Sequence, residues 1–167
     1  MSKLQKAVFL DRDGVINKER SDYVKTVSEL EILPNLYESI KQLKKAGFIV
    51  VVITNQSAIN RGLTNHDNIN HIHSFIQEYL KRHGTCIDAF YYCPHKPDEN
   101  CACRKPKPGL LIKAANELHI DLKSSWMIGD SDSDIESAVL VGCKSIKVGT
   151  NLELFTAVQS ILNSNHS

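Results

Sequence analysis

Apolar positions along the chain fall into short runs at residues 7–10, 48–53, 89–92, 126–128 and 145–148, separated by longer segments of mixed polarity. That alternation is the strand-helix rhythm of a parallel sheet. After Pro34, the residues Leu36, Ile40 and Leu43 share one helical face and Gly47 follows. The spacing predicts an amphipathic helix, ended by glycine, that links the first two strands. Similar patterns predict helices near 66–82, 108–118, 133–141 and 152–162, so helices are expected on both faces of the sheet. No repeat, low-complexity tract or Gly/Ser linker interrupts the pattern. Residues 1–167 are therefore expected to form one α/β domain, with a polar end from about Asn163 that frays.

With 167 residues, 42% apolar and 23% charged, the chain is long enough to bury one sizeable core. Lys and Arg number 20 against 19 Asp and Glu, a net charge of +1, so no broad field draws nucleic acid or an anionic membrane. A small, locally charged ligand suits this balance better. The segment from Met1 to Lys6 runs into an apolar stretch too short for a signal-peptide core or a spanning helix, and the expected location is the cytoplasm. Five cysteines, with three of them at 93, 101 and 103, point to reduced thiols and a metal rather than disulfides. Cys86 and Cys143 read as packed thiols.

In such sheets the chemistry collects at the carboxyl ends of strands. Directly after the first run come Asp11-Arg12-Asp13-Gly14, two carboxylates two residues apart on a chain that points both to one side. A hard cation such as Mg²⁺ relieves their repulsion, and an Asp held there is able to attack phosphorus. The same residues also build ordinary turns. A second acidic set, Gly129-Asp130-Ser131-Asp132-Ser133-Asp134, follows another apolar run and also reads as a capped helix start. Between them lie Thr54-Asn55-Gln56-Ser57, a hydroxyl and amide donors suited to phosphate oxygens, or a plain helix cap. Arg104-Lys105 adds fixed positive charge of the kind phosphoryl transfer uses, or an exposed basic turn.

Cys93-Pro94-His95 and Cys101-Ala102-Cys103 place three sulfurs and one imidazole within eleven residues, enough for closed tetrahedral coordination of Zn²⁺. Four protein ligands leave no position for water, so the expected role is structural, folding a loop that has few apolar residues of its own. The remaining histidines at 66, 71, 73, 83, 119 and 166 read as surface or helix-packing residues.

Taken in order, Asp11-x-Asp13-Gly14, Thr54-Asn55-Gln56-Ser57, Lys105 and Gly129-Asp130 resemble the four motifs of the haloacid dehalogenase superfamily of phosphohydrolases, over residues 7 to about 150. The zinc-loop motifs and the stretch from Thr54 to Arg61-Gly62 resemble its heptose bisphosphate and histidinol-phosphate phosphatase branch. The resemblance implies a Rossmann-like parallel sheet with helices on both faces and no large cap domain. It implies that Asp11 attacks phosphorus while Asp13 protonates the leaving alcohol and later activates water. Mg²⁺ would be held by Asp11, the main-chain carbonyl of Asp13 and Asp130, with Asp134 supporting the metal from behind. Thr54 and Asn55 would bind the transferring group, and Lys105 would neutralise it.

Without a cap, loops must enclose the substrate. Asn17, Lys18, Glu19, Arg20, Ser21, Asp22, Tyr23, Gln56, Ser57, Arg61 and the zinc loop with Arg104 are the expected contacts to the leaving group. Ser57, Arg61 and Tyr23-Val24 favour a heptose 1,7-bisphosphate cleaved at the 7-phosphate, with Arg61 engaging the distal phosphate; histidinol phosphate is the alternative. A zinc-loop binding module on an inactive scaffold is a reading from another class, disfavoured by the presence of Asp11, Asp13, Lys105 and Asp130 together. A monomer is expected.

Overall fold

A computed structural model of the chain describes residues 3–149 and 152–164. Five strands, β1 (Ala7–Leu10), β2 (Ile49–Asn55), β3 (Ala89–Cys93), β4 (Trp126–Gly129) and β5 (Lys144–Lys147), pair in parallel in the order β3-β2-β1-β4-β5. Between and after them run α1 (Leu36–Lys45), α2 (His66–Arg82), α3 (Gly109–Leu118), α4 (Asp132–Leu140) and α5 (Leu154–Ser164). Successive side chains of a strand face opposite ways, and the sheet accordingly has two cores. Val8, Leu10, Val50, Val52 and Ile128 pack with apolar residues of α1, α2 and α5, while Ala7, Phe9, Val51, Ile53 and Met127 pack with Leu110, Leu111 and Ala114 of α3 and Ala138 of α4. The expected two-sided α/β layering is what the chain adopts.

The helices follow their apolar spacing. Ile69, Ile72, His73, Ile76 and Leu80 form the buried stripe of α2, and the Asn65 side chain caps its start by accepting from the Asn68 amide at 2.8 Å. Leu36, Ile40 and Leu43 are the buried face of α1, as the spacing predicts. Element ends differ from expectation by a residue or two where tertiary pairing decides them. β2 runs on through Thr54 and Asn55 because these pair with Tyr92 and Cys93 of β3. β5 begins at Lys144, opposite Trp126. α4 starts at Asp132, because Ser131 and Asp134 close a reciprocal cap around its first turn. α5 continues to Ser164, one residue past the expected start of the frayed end; His166 and the rest of that end lie outside the described residues.

The strand order places β1 at the centre, with the chain turning to β2 on one side and returning to β4 on the other. The crevice at the carboxyl ends of β1 and β4 is the switch point where ligands bind in open sheets of this kind. Both acidic segments issue from it. The connection from residue 11 to 35 folds back over this edge, held by backbone bonds from Gly14 N to Asn17 O, Lys18 N to Glu31 O and Leu33 N to Ile16 O at 2.8–2.9 Å. No helix among the described residues is long and apolar enough to cross a membrane.

Candidate active site

Asp11 follows β1 directly, and its amide donates to Ile128 O at 3.0 Å, which carries the β1–β4 pairing one step further and sets Asp11 beside Asp130. Carboxylate oxygens of Asp11, Asp130 and Asp134 all lie within 4.8 Å of one another. Two glycines make this crowding sterically possible. Gly14 has φ +86°, and a Cβ added there would collide with the Asp130 carboxylate; one added at Gly129 would collide with Asp134. The buried Lys105 lies against the same group, its Nζ 3.1 Å from Asp11 Oδ1, in contact with Asp134 Oδ1 and donating to Ile53 O at 2.9 Å.

Three carboxylates around one ammonium leave negative charge in excess. Burial pushes the Asp11 pKa up to about 8, with Lys105 opposing the rise and Asp134, Asp13 and Asp130 adding to it. Burial also raises Asp130. Lys105 is raised as well: burial works against its charge, but Asp11 and Asp134 outweigh it. A hard divalent cation fits this donor set, because its oxygens are close, partly buried and under-neutralised. Asp134 has its own partners: Lys105 at Oδ1, and the Ser131 amide and hydroxyl at Oδ2, 3.1 and 2.9 Å away.

Asp13 turns away from this cluster. Its Oδ1 accepts from Arg12 at 2.9 Å and Asn17 Nδ2 at 3.0 Å, and its Oδ2 from Gln56 Nε2 at 2.9 Å. Burial works to raise its pKa, but the Arg12 charge and the bonds from Asn17, Arg12 and Gln56 outweigh it and hold the carboxyl below its ordinary range. Its carboxylate therefore stands apart from the metal-sized group formed by Asp11, Asp130 and Asp134.

A cleft of about 470 Å³ opens over these residues. Of the residues singled out from sequence, Glu19, Arg20, Ser21, Tyr23, Asn55, Gln56, Ser57, Arg61, Arg104 and Lys105 line it together with Asp11, Asp13 and Asp130. Four expected contacts, Asn17, Lys18, Thr54 and Asp22, do not. Thr54 is fully buried, and its hydroxyl accepts from Gln56 Nε2 at 3.0 Å. Asp22 instead pairs with Arg20 and Lys25 at the outer edge of the loop. Asn55 lines the cleft but spends its amide on the main chain of Lys105, accepting from Lys105 N at 3.1 Å and donating to Lys105 O at 3.3 Å. Arg61 Nε donates to Ser57 Oγ at 3.1 Å and its guanidinium lies 5.8 Å over the Tyr23 ring, while its terminal nitrogens have no other partner among the described residues.

Cys93 Sγ lies 3.3 Å from His95 Nδ1, 3.6 Å from Cys101 Sγ and 2.8 Å from Cys103 Sγ; His95 Nδ1 is 3.2 Å from Cys103 Sγ. None of these cysteines is in a disulfide. Three sulfurs and a ring nitrogen turned towards one point fit a four-coordinate Zn²⁺. The loop they close runs from the end of β3 to Lys105, two residues past Cys103.

One residue at this edge, Arg12, escaped the reading of the sequence, and Asn17, expected among the contacts to the leaving group, is found buried against it instead. Arg12 is the largest fully buried side chain, and Asn17 is also fully buried, accepting from Arg12 Nε at 3.1 Å. His73, grouped from sequence with surface and helix-packing histidines, is 6% exposed and lies 3.4 Å from Arg12. The signal available in the sequence was an arginine between two motif carboxylates, a place where exposure to water is not the natural expectation.

This parallel sheet, with an aspartate at the end of its central strand and a lysine and acidic loop facing it, defines an HAD-like hydrolase; a family model of that description, HAD-hydrolase-like, matches residues 102–161. The chain is 41% identical to a D-glycero-beta-D-manno-heptose-1,7-bisphosphate 7-phosphatase of Pseudomonas aeruginosa, over 86% of this chain and 80% of that one. A relative of the same name from Helicobacter pylori strain J99 is 43% identical over 100% of this chain and 91% of its own length. Among solved structures, D,D-heptose 1,7-bisphosphate phosphatase of Bordetella bronchiseptica, complexed with magnesium and phosphate, aligns with TM-score 0.86 and 32% identity over 95% of this chain and 99% of that one. The chain belongs to the D-glycero-beta-D-manno-heptose-1,7-bisphosphate 7-phosphatase family of HAD-like hydrolases.

Proposed function

We propose that the protein hydrolyses the 7-phosphate of D-glycero-beta-D-manno-heptose 1,7-bisphosphate, giving the 1-phosphate for heptose-containing surface glycans such as lipopolysaccharide core. The observation that carries this reading is the pairing of Asp11 with Lys105 at the floor of a cleft whose walls present Arg20, Arg61 and Arg104. The relatives described above share the heptose-bisphosphate name, and the histidinol-phosphate alternative finds no support in them. An enzyme of this kind also displaces the idea of a binding module on an inactive scaffold.

Mg²⁺, for which Asp11, Asp130 and the main-chain carbonyl of Asp13 would be the ligands, would supply positive charge to offset that of the carboxylates and of the phosphoryl group. Lys105 contributes a second positive charge beside Asp11 that only partly offsets its burial, and the metal's charge added to it would hold the carboxylate ionised when phosphate arrives. An Asp11 oxygen attacks phosphorus, the bond from phosphorus to the sugar O7 breaks, and the leaving oxygen takes a proton from Asp13. Asp13 is held ionised by Arg12, Asn17 and Gln56 before substrate binds; the negative phosphoryl group raises its pKa, so it takes up the proton it then donates. In the second step Asp13 removes a proton from water as that water attacks the aspartyl-phosphate, releasing phosphate and free Asp11. Arg61, with its terminal nitrogens unengaged, is the group placed to hold the distal 1-phosphate. Zn²⁺ at Cys93, His95, Cys101 and Cys103 would take no part in these steps and would fix the loop that delivers Arg104 and Lys105.

Phosphate release by the purified protein with Mg²⁺, comparing kcat/KM for the heptose bisphosphate and for histidinol phosphate, tests the proposal. Preference for the bisphosphate is expected. Preference for histidinol phosphate would overturn the substrate assignment, and no Mg²⁺-dependent release from either would overturn the reaction.

A further inference from the structure

Asp13 owes its direction in part to Arg12, and Arg12 is in turn held by a residue 61 positions away in the chain, His73. The guanidinium has no exposure to solvent and spends its nitrogens on three partners: Nε on Asn17 Oδ1 at 3.1 Å, one terminal nitrogen on Asp13 Oδ1 at 2.9 Å, and the other on His73 Nε2 at 3.4 Å. Arginine carries only donors. His73 Nε2 must therefore be the acceptor, and the ring is neutral with its proton on Nδ1. A ring buried in this way beside a fixed cation also resists charging, and its pKa is lowered to about 3 by burial first and Arg12 second. The imidazole is not free to turn: it stacks on Phe90 with centroids 4.7 Å apart and planes 15° from parallel, and Tyr92 meets it edge-on. Phe90 and Tyr92 belong to β3 and His73 to α2, so two elements outside the catalytic loops fix the acceptor's place.

We infer that His73 is a positioning residue for the proton-transfer carboxylate: through Arg12 it fixes the direction of Asp13 without touching substrate. This rests on the assignment of Asp13 as general acid and base made above. A buried guanidinium that loses one of its acceptors re-seeks a partner, and the displacement passes directly to Asp13, which shares the same fork. Small misplacements of a catalytic group reduce rate steeply, because proton transfer depends on hydrogen-bond geometry to the leaving oxygen.

Leaving-group dependence separates this role from a structural one. A sugar alkoxide needs protonation as it departs, whereas a nitrophenolate does not. His73→Phe keeps the stacked ring but removes the acceptor, and His73→Gln keeps an acceptor. For His73→Phe the expected result is a fall in kcat/KM for the sugar bisphosphate of roughly 10- to 100-fold, with kcat/KM for p-nitrophenyl phosphate within about 2-fold of wild type. His73→Gln is expected to recover most of the loss. An equal fall on both substrates, or no fall on either, overturns the inference; should His73→Phe fail to fold, His73→Leu carries the same comparison. Asp13→Asn is run beside them. If Asp13→Asn discriminates between the two substrates and the His73 variants do not, the role of His73 fails alone; if Asp13→Asn does not discriminate, the assignment of Asp13 fails with it.

Discussion

At the scale of single residues, two acids two positions apart are given opposite characters by their surroundings. Asp11 is buried among other carboxylates and raised; Asp13 is tied to Arg12, Asn17 and Gln56 and lowered. Asp11 is the attacking group in the proposed mechanism, and Asp11→Asn is nearly isosteric at a site where the native carboxylate is crowded by like charge. Turnover is expected to fall below detection while circular dichroism and thermal unfolding show the fold intact; activity like wild type in that variant would end the mechanism. His73 makes a separate prediction about acid stability. Its folded pKa of about 3 lies below the ordinary 6.5, so between those values the unfolded chain holds one more proton than the native one. The stability linked to this group is present above about pH 6.5 and is lost as pH falls towards 3, at up to about 1.4 kcal/mol per pH unit. Urea unfolding at pH 7 and pH 5.5 should show a smaller loss for His73→Gln than for wild type, and equal losses would show that His73 is not the group that titrates.

At the scale of elements, the segment from the end of β3 to the start of α3 contributes Cys93 to the second core and has Cys101 and Cys103 at that core's margin. Much of the rest of the loop is polar, and it ends in the cleft at Lys105. The Asn55 amide clamps the main chain of Lys105 from β2, and a Cβ at Gly109 would strike the Ala102 carbonyl, so the loop lies tightly against both neighbours. Metal coordination of such a loop acts as folding free energy. Cys101→Ala is expected to lower zinc content measured by elemental analysis, to lower Tm by roughly 5–10 °C, and to reduce kcat through Lys105. Unchanged Tm and unchanged zinc content would show that the four residues do not form a metal site. The spacing of these ligands was legible in the sequence because they lie close together along the chain. The clamp by Asn55 was not, since 50 residues separate it from Lys105.

At the scale of the whole molecule, the cleft is assembled from the 11–35 connection, the turn after β2, the zinc loop and the start of α4, all gathered at one edge of the sheet. Arg20 is steadied there by Asp22 and Glu29, and Arg104 donates to His95 O at 3.2 Å. Arg61 retains free donors over a site of limited size. A second phosphate bonded by that guanidinium is worth about 1.5–3 kcal/mol, so the preference for the bisphosphate over histidinol phosphate proposed above should reach roughly 10- to 100-fold in kcat/KM. A ratio near one would mean that Arg61 makes no such contact.

The alternation of apolar runs was enough to determine the strands, the helices and their two-sided packing, because burial on a sheet imposes a local period that each segment carries in itself. The acidic motifs and the Cys/His spacing were equally local and equally readable. Tertiary structure alone decided the partners of these groups. Lys105 against Asp134 spans 29 residues and Arg12 against His73 spans 61; such pairs have no period, and they form because the strand order 3-2-1-4-5 brings separate loops to one edge. The same packing withdrew Thr54 from the cleft and buried Arg12, since a charged or polar side chain goes inside only where its hydrogen-bonding partners are already in place.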